Sequence, residues 1–486
     1  MNCKHNTALS QWLVCHLPLL VFLLCVSQPL LDVLSYWVYY FELSNTVTLL
    51  IRLLMLAAIA LTGFVLSQKK TIYYILAGIL SLLTAGHIWA CLQAGYDQVV
   101  SDLTNLVRIY QFPIATVCFI TFLRTEPKTY TALRHGIFAS LCVIALVELL
   151  SLVTGTDPHT YANKSLGLLG WFYLPSAQSA ILSCIVPISL AWCLEKWRDR
   201  PVCLLTSCLG CLGILFILGT RLSYLALFAT GVGLTITLLI VDRTQKRPIL
   251  ILLLCTCCFI AALPLSAMYR NQTLVAENAI KKQELIDTLV AEDEAKAVKA
   301  GLTGEALELA RLEGAYEHYL GGLVHRYGPE RVAQQYDYSD RASDLADVRR
   351  MRISYCALMQ EDLPLSAKLF GMELGDLTYE DYIYDVENDL HGIYYLTGAA
   401  GLCMLLAFLA WFVFLILRAL IQDFKRQFTV QAAGWGIALL TSLTHIYATA
   451  GVLRRPNVSI YLSITLACIL HLTRKNATPS MLPESK

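Results

Sequence analysis

Arginines in short turns between apolar runs are the first residues of this sequence that could do chemistry. Arg221 lies in the turn at residues 219–222, Arg454 and Arg455 share a second such turn, and Arg108 stands near the start of another apolar run. A guanidinium group is costly to hold at a membrane, and it forms paired hydrogen bonds with phosphate oxygens. These arginines predict a site for an anionic headgroup, although an arginine at a helix end can also simply extend its charge into water.

A second candidate site is an acidic segment that precedes a later apolar run. Glu387 and His391 are four positions apart, and Asn388 and Asp389 directly follow Glu387. Residues four apart share one face of a helix, where a carboxylate or an imidazole can accept a proton from a hydroxyl group. The alternative is that the acidic residues only stabilise the start of a helix through its dipole.

Phosphate binding and metal binding are the next possibilities. Arg349, Arg350 and Arg352 could bind phosphate or glycan, or could form the solvated face of an exposed helix. Cys208 and Cys211 form a pair inside an apolar run, where cysteine behaves as a small hydrophobic residue. The sequence shows no tight carboxylate cluster that demands a metal ion, although Asp381, Asp385 and Asp389 could form a weak one. We therefore predict neither a metal site nor a cofactor.

The elements that must position these residues are long apolar helices. Of the 486 residues, 57% are hydrophobic and 15% are charged, whereas soluble domains carry about 25% charged residues. Runs of roughly 20 apolar residues recur, and this length spans a bilayer as a helix. We predict an all-α polytopic membrane protein with about twelve transmembrane helices, at residues 11–34, 46–66, 71–95, 106–123, 133–154, 175–194, 202–218, 222–241, 249–268, 393–417, 432–450 and 458–473.

The distribution of Lys and Arg predicts which helix ends face the cytoplasm. With the N-terminus placed inside, every even-numbered span ends in a basic segment on the same side, as the positive-inside rule requires. The same count places residues 269–392 outside. That segment holds 13 Lys or Arg and 24 Asp or Glu, a net charge of −11. This separation of charge indicates a membrane topology rather than a nucleic-acid partner.

Four parts make up the predicted chain. Residues 1–268 form helices 1–9, residues 269–392 form a large, mainly helical extracytoplasmic loop, residues 393–475 form helices 10–12, and residues 476–486 form a short cytoplasmic tail. Within the loop we predict a helical region at 274–320, a break at Gly328-Pro329 and a second helix near 344–360. Titratable residues within or near the spans are predicted to make interhelical polar contacts: Asp32, Arg52, His87, Glu148 and His445.

Four short motifs follow one another along the chain, at residues 28–32, 219–227, 368–375 and 387–401. In their order and spacing they resemble the O-antigen ligase and polymerase superfamily of bacterial cell-envelope enzymes. That family has about a dozen spans and one large outer loop in its second half. Thr220 stands where the family usually has a serine before its arginine. Glu387 stands at the family's histidine position, and His391 follows one helical turn later.

The resemblance implies glycosyl transfer at the outer face of a bacterial cytoplasmic (inner) membrane. The donor would be a glycan on a polyprenyl pyrophosphate such as undecaprenyl pyrophosphate, and the acceptor a hydroxyl of a glycan or glycolipid. Arg221 would hold the pyrophosphate and stabilise the leaving charge, and either Glu387 or His391 would accept the proton. The family is regarded as metal-independent. The other candidates would bind substrate: Arg108, Arg349, Arg350, Asn388, Asp389, Arg454 and Arg455.

Two questions stay open at the level of sequence. A ligase and a polymerase use the same donor and differ in acceptor, so the sequence does not separate them. The alternative function is a lipid-linked oligosaccharide flippase or other transporter. Transporters usually carry a repeat between their halves, whereas this chain has no internal repeat and one loop of roughly 120 residues. A membrane scaffold or sensor is a further alternative, but no separate cytoplasmic output domain is present.

Overall fold

The structure is a computed structural model that describes residues 8–44, 46–96, 98–375, 377–449 and 451–477. Of Val100 and residues 475–477 only the backbone is described. Most of the predicted cytoplasmic tail at 476–486 therefore lies outside the described residues. The described part of the chain is helical apart from its turns and one short hairpin.

The first nine helices cover the N-terminal half of the chain. They are α1 Ala8–Tyr40, α2 Thr46–Leu66, α3 Lys70–Ala94, α4 Val99–Thr125, α5 Lys128–Val153, α6 Pro175–Lys196, α7 Pro201–Leu218, α8 Arg221–Val241 and α9 Lys246–Ala261. The remaining elements are α10 Ala267–Lys299, α11 Glu305–Tyr327, α12 Pro329–Gln335, α13 Ala342–Leu345, α14 Val348–Glu361, α15 Leu365–Phe370, β1 Thr378–Tyr379, β2 Tyr382–Ile383, α16 Asp389–Gln422, α17 Phe424–Gln427, α18 Val430–Ala448 and α19 Pro456–Ala477. Short 3-10 turns occur at Ala162–Lys164 and Leu263–Leu265.

Ten helices in the described part of the chain, α1–α8, α16 and α19, are long and apolar enough to cross a membrane. The predicted class, an all-α polytopic membrane protein, is therefore confirmed. Two predicted spans coincide with α9 and α18. The 16 residues of α9 give a length of about 24 Å, less than the ~30 Å of a bilayer core. Polar residues such as Thr441, Ser442 and His445 lower the hydropathy of α18, so the count of twelve stays a prediction.

The chain forms two compact units, which are described separately. The first unit contains Met1–Leu80, Val107–Tyr269 and Leu405–Lys486. The second unit contains Ser81–Leu106 and Arg270–Met404. The C-terminal part of α3 and the N-terminal part of α4 thus belong to the same unit as most of the segment 269–392, which was predicted to be a large loop.

Helix α6 is the centre of the first unit. It is almost entirely buried and packs against α5, α7, α8, α18 and α19. Small residues allow this close packing, since a Cβ atom added at Gly434 of α18 would lie 2.6 Å from the Cβ of Ala191. Polar contacts join the same helices: Thr441 donates to the carbonyl of Ser183 at 2.8 Å, and His445 Nε2 lies 3.1 Å from Ser183 Oγ. The predicted interhelical contact of His445 is confirmed.

The second unit has its own core, built by α11, α12 and α14. Tyr316, Leu323, Tyr336 and Tyr355 are each at most 1% exposed and fill the space between these helices. The rings of Tyr316 and Tyr336 lie 6.3 Å apart. The long acidic segment is therefore a folded domain with a buried apolar interior.

The internal structure of this segment differs from the sequence prediction in two places. The helix predicted at 274–320 is two helices, because Gly301 and Gly304 adopt positive φ angles of 75° and 64° between α10 and α11. The hairpin of β1 and β2, which pairs Thr378 with Ile383, was not predicted because two-residue strands leave no alternating pattern. The break at Gly328-Pro329 is confirmed, and α12 begins directly at Pro329.

Candidate functional site

A cavity rich in arginine lies in the first unit. It has a volume of about 240 Å³ and is lined by α1, α2, α4, the segment leading into α6, α6 itself, and the turn that begins α19. Its charged and amide side chains are Asp32, Arg52, Arg108, Gln178, Arg454, Arg455 and Asn457. Four guanidinium groups thus face one carboxylate, and this excess of positive charge favours an anionic ligand.

Asp32 and Arg52 form the fixed part of this arginine cavity. Arg52 Nη2 donates to Asp32 Oδ1 at 2.6 Å, and Asn457 Nδ2 donates to Asp32 Oδ2 at 3.1 Å. The second terminal nitrogen of Arg52, Nη1, is buried and has no hydrogen-bond partner among the described residues. A buried donor without an acceptor costs about 1–3 kcal/mol. An anion bound in the cavity can supply that acceptor.

The turn that carries Arg454 and Arg455 is held in place by α4. Gln111 Nε2 donates to the Pro456 carbonyl at 2.7 Å and lies 3.3 Å from Ser459 Oγ. The carbonyl of Arg455 accepts from the backbone of Ser459 at 2.9 Å and so starts α19. Because α4 also carries Arg108, one helix positions three of the four arginines.

Arg221 lies outside the lining of the arginine cavity. It begins α8, where Thr220 caps the helix by accepting from Ser223 N at 3.0 Å and lies 2.7 Å from Ser179 Oγ. Arg221 is exposed and has no ion-pair partner in the described chain. A positive charge at a helix N-terminus is unfavourable for the helix dipole. Helix stability therefore does not explain the position of Arg221, which supports a role in binding.

In the second unit, Asn388 and His391 form the start of α16. The backbone N–H of His391 donates to Asn388 Oδ1 at 3.1 Å, which caps the helix. Ring atom Nδ1 of His391 lies 3.1 Å from the same amide oxygen. Since that oxygen can only accept, Nδ1 carries the hydrogen, and Nε2 of the neutral ring is left as a proton acceptor. His391 is exposed, as a base for a bound hydroxyl must be.

Glu387 forms ion pairs with arginines, whereas His391 contacts Asn388. Arg352 Nη1 donates to Glu387 Oε1, and Arg349 Nε lies 3.8 Å from Oε2. Burial alone would lower the pKa of Arg352, but its interactions with Tyr382 and Glu387 outweigh burial and raise that pKa, so the guanidinium stays charged. The carboxylate is thus held between two arginines, while half of its surface remains exposed.

Arg350 and Asp389 have surroundings unlike those of their neighbours in sequence. Arg350 pairs with Asp344 and lies over the ring of Tyr336 at 4.9 Å. It is therefore not joined to the Arg349–Glu387–Arg352 group. Asp389 is fully buried in the first turn of α16. Its burial supports a structural role at the helix start and weighs against direct contact with a substrate.

Two of the motif segments pack against each other through glycines. Gly371 and Gly398 have φ angles of 92° and 66° with extended ψ, a region that only glycine occupies readily. A Cβ at Gly398 would collide with the backbone of Leu369, and one at Gly371 would collide with the carbonyl of Leu396. Met372 N donates to the carbonyl of Tyr395 at 2.8 Å and closes this contact.

We expect Gly398→Ala to destabilise the protein by at least about 2–3 kcal/mol, because the new methyl group meets strain and backbone atoms together. Thermal unfolding of the detergent-solubilised protein measures this loss. Gly321→Ala in α11 of the same unit is the control, since its added Cβ would meet only ordinary contacts at 3.7 Å. Equal melting temperatures for the two variants would contradict the prediction.

A comparison with known protein families shows which family this chain belongs to. A family model described as O-antigen ligase like membrane protein matches residues 16–475, nearly the whole chain. The chain belongs to this family. A comparison with curated proteins finds no match. The resemblance inferred from the four motifs is therefore confirmed, and it supports a membrane function of the glycan ligase or polymerase type.

For this O-antigen ligase-like protein, the sequence predicted some of the charged residues that line the arginine cavity and missed others. The structure places Arg108, Arg454 and Arg455 on one cavity, as a shared anion site requires. It adds Arg52 and Asp32, each of which was predicted only to make an interhelical polar contact. Their 2.6 Å contact with each other confirms that prediction, and their place on the cavity wall is new. The signal available in the sequence was an arginine inside an apolar span.

Proposed function

We propose that this O-antigen ligase-like membrane protein transfers a glycan from a polyprenyl-pyrophosphate donor to a hydroxyl acceptor at the outer face of the cytoplasmic membrane. The observation that carries the proposal is the arginine cavity, where four guanidinium groups surround one carboxylate and one of the four, that of Arg52, has a buried nitrogen without a hydrogen-bond partner among the described residues. Arginine is suited to phosphate because its planar group makes two parallel hydrogen bonds. A pyrophosphate, with its dense negative charge, matches such a cavity.

The proposed reaction moves one proton and one glycosyl group. The acceptor hydroxyl forms a bond to the anomeric carbon of the donor glycan, and the bond from that carbon to the pyrophosphate oxygen breaks. Arg108, Arg454 and Arg455, with Arg52, stabilise the charge that develops on the leaving pyrophosphate. Arg221, exposed at the start of α8, supplies a further positive charge for the donor.

We propose that His391 is the base that accepts the proton of the acceptor hydroxyl. Its Nδ1 is tied to Asn388, so Nε2 is the basic atom, and general base catalysis of this kind contributes about 10²–10⁴-fold. Glu387 is engaged with Arg349 and Arg352 and acts in this proposal as a positioning residue for those arginines. This assignment selects between the two bases that the sequence left open.

A transfer assay with the native donor tests the proposed function. Purified protein is mixed with a polyprenyl-pyrophosphate oligosaccharide from its host, and release of the polyprenyl pyrophosphate is followed together with transfer of the glycan. We expect both signals, and we expect Arg221→Ala to lower them strongly while the protein stays folded. Growth of the glycan chain would indicate a polymerase, and transfer to a distinct acceptor would indicate a ligase.

The same preparation separates the enzyme from the transporter. Protein in sealed vesicles is given the donor on one side, and its appearance on the other side is measured. The proposal would be overturned in favour of a flippase if the intact donor crossed the vesicle membrane and no glycan was transferred, although the donor and the acceptor had both been verified.

A further inference from the structure

Three side chains of types that can ligate a metal lie together, buried in the second unit, and none of them takes part in the proposed reaction. His87 and Cys91 are four residues apart on α3, and Asp102 lies in the first turn of α4. His87 Nε2 is 3.3 Å from Asp102 Oδ2 and 3.4 Å from Cys91 Sγ, and one ligand atom from each residue lies within 4.8 Å of the other two. None of the three residues is exposed.

The hydrogen bond on the far side of the imidazole fixes which of its atoms faces the cluster. His87 Nδ1 lies 3.1 Å from the carbonyl oxygen of Phe370, and a carbonyl can only accept. Nδ1 therefore carries the hydrogen, and the neutral ring directs the lone pair of Nε2 at the carboxylate and the thiol. Histidines that bind metals commonly donate their other ring N–H to a backbone carbonyl in this way.

Two of the three separations within the cluster match those around a tetrahedral zinc ion. Zinc binds nitrogen and oxygen at about 2.0–2.2 Å and sulfur at about 2.3 Å, which separates neighbouring ligand atoms by roughly 3.3–3.6 Å. The separations of His87 Nε2 from Asp102 Oδ2 and from Cys91 Sγ fall in or near that range. A mixed set of thiolate, imidazole and carboxylate favours zinc over magnesium or calcium.

The backbone around the cluster holds the carboxylate in position. Asp102 accepts from the backbone N–H of Leu374 at 2.9 Å and from that of Gly375 at 3.0 Å. Preorganised ligands of this kind bind a metal without first having to reorder.

Further contacts fasten the 366–375 segment to α3. Ser366 Oγ donates to Gln93 Oε1 at 2.6 Å, and the ring of Phe370 packs over Gly86, where a Cβ would find no room. Three chain segments are thus arranged around one point before any ion binds.

The charge balance of this region also favours a cation. Glu373, next to Leu374, is fully buried like Asp102, and its carboxylate interacts electrostatically with the Cys91 thiol. Burying carboxylate charge is expensive unless a positive group offsets it. A divalent cation bound by Asp102 and Cys91 would offset part of this buried negative charge.

We propose that His87, Cys91 and Asp102 bind a structural zinc ion that fastens the 370–375 segment to α3 and α4. On binding, Cys91 loses its proton to solvent and ligates as the thiolate, and the fourth position is open to water. This proposal departs from the prediction that the chain has no metal site. The site was not predicted from the sequence, because the ligand spacing is unlike that of common zinc motifs.

Metal analysis of the full-length protein, purified through a tag that binds no metal, is the first test. We expect close to one zinc per chain, and at least a tenfold lower content in Cys91→Ala. Cys356→Ala is the matched control, because Cys356 is another buried cysteine of the second unit and should leave the zinc content unchanged. Equal zinc in Cys91→Ala and the native chain would overturn the assignment.

A second measurement needs no variant and so remains valid if Cys91→Ala fails to fold. The native protein is stripped with a chelator and titrated with Co²⁺, whose bond to a thiolate gives a charge-transfer absorption. We expect that absorption to saturate at about one Co²⁺ per chain. We also expect stripping to speed proteolysis within residues 370–375, and Zn²⁺ to reverse this. Folded protein with no zinc as isolated and no Co²⁺ uptake would overturn the proposal and leave His87 as a buried polar contact of Asp102.

Discussion

Replacing Arg108 or Arg455 by alanine is expected to weaken binding of polyprenyl pyrophosphate by roughly 10- to 100-fold. Each guanidinium would lose a charge-assisted hydrogen bond to phosphate, worth about 1.5–3 kcal/mol. The loss is large because the cavity is small and its only carboxylate, Asp32, is already paired with Arg52 and Asn457.

Equilibrium binding of polyprenyl pyrophosphate in detergent or nanodiscs measures this effect, with the uncharged polyprenol as a second ligand. We expect the arginine variants to lose affinity for the pyrophosphate and to keep their weak affinity for the polyprenol. Arg198→Ala is a matched control, because Arg198 is an arginine of the same unit that forms an exposed pair with Asp242. If Arg108→Ala and Arg198→Ala bind the pyrophosphate equally well, the cavity is not the donor site.

Replacing His391 by alanine is expected to lower the turnover rate by about 10²–10⁴-fold while donor binding stays near that of the native chain. The variant removes the proton acceptor that Asn388 orients, and it leaves the arginine cavity of the first unit intact. Steady-state transfer assays measure the turnover rate and the donor's apparent affinity separately. Added imidazole should restore part of the lost rate, which a purely structural role of His391 would not allow.

Two further variants make the test of His391 specific. His325→Ala removes another exposed histidine of the second unit, which pairs with Glu317 and Glu380, and should leave turnover unchanged. Glu387→Gln should reduce turnover less than His391→Ala, because it only loosens Arg349 and Arg352. The opposite ranking, with Glu387→Gln inactive and His391→Ala active, would assign the base to Glu387.

The sequence alone determined the class of this protein and its family. A bilayer requires every backbone polar group to be satisfied within the spanning segment, so long apolar runs can form only helices or closed barrels. Composition along the chain was therefore enough to predict an all-α membrane protein. The order of the four motifs was enough to show the resemblance to O-antigen ligases. Such short motifs contain residues that the local backbone geometry requires, such as Gly371, Gly398 and the helix cap Thr220.

Only the tertiary structure decided which side chains come together. Arg52 and Asp32 join Arg108, Arg454 and Arg455 on one cavity, although these residues come from distant parts of the chain. Other groupings were equally hidden from the sequence. Arg221 proved separate from the cavity, and His87, Cys91 and Asp102 converge beside the 370–375 segment.

The physical reason is that apolar periodicity identifies a helix without fixing its rotation about its own axis or its neighbours. Those are set by the packing of whole helices against each other, such as small residues in contact at Gly434 and Ala191. The residue types that can bind an anion or a metal were readable from the sequence, but their distances were not.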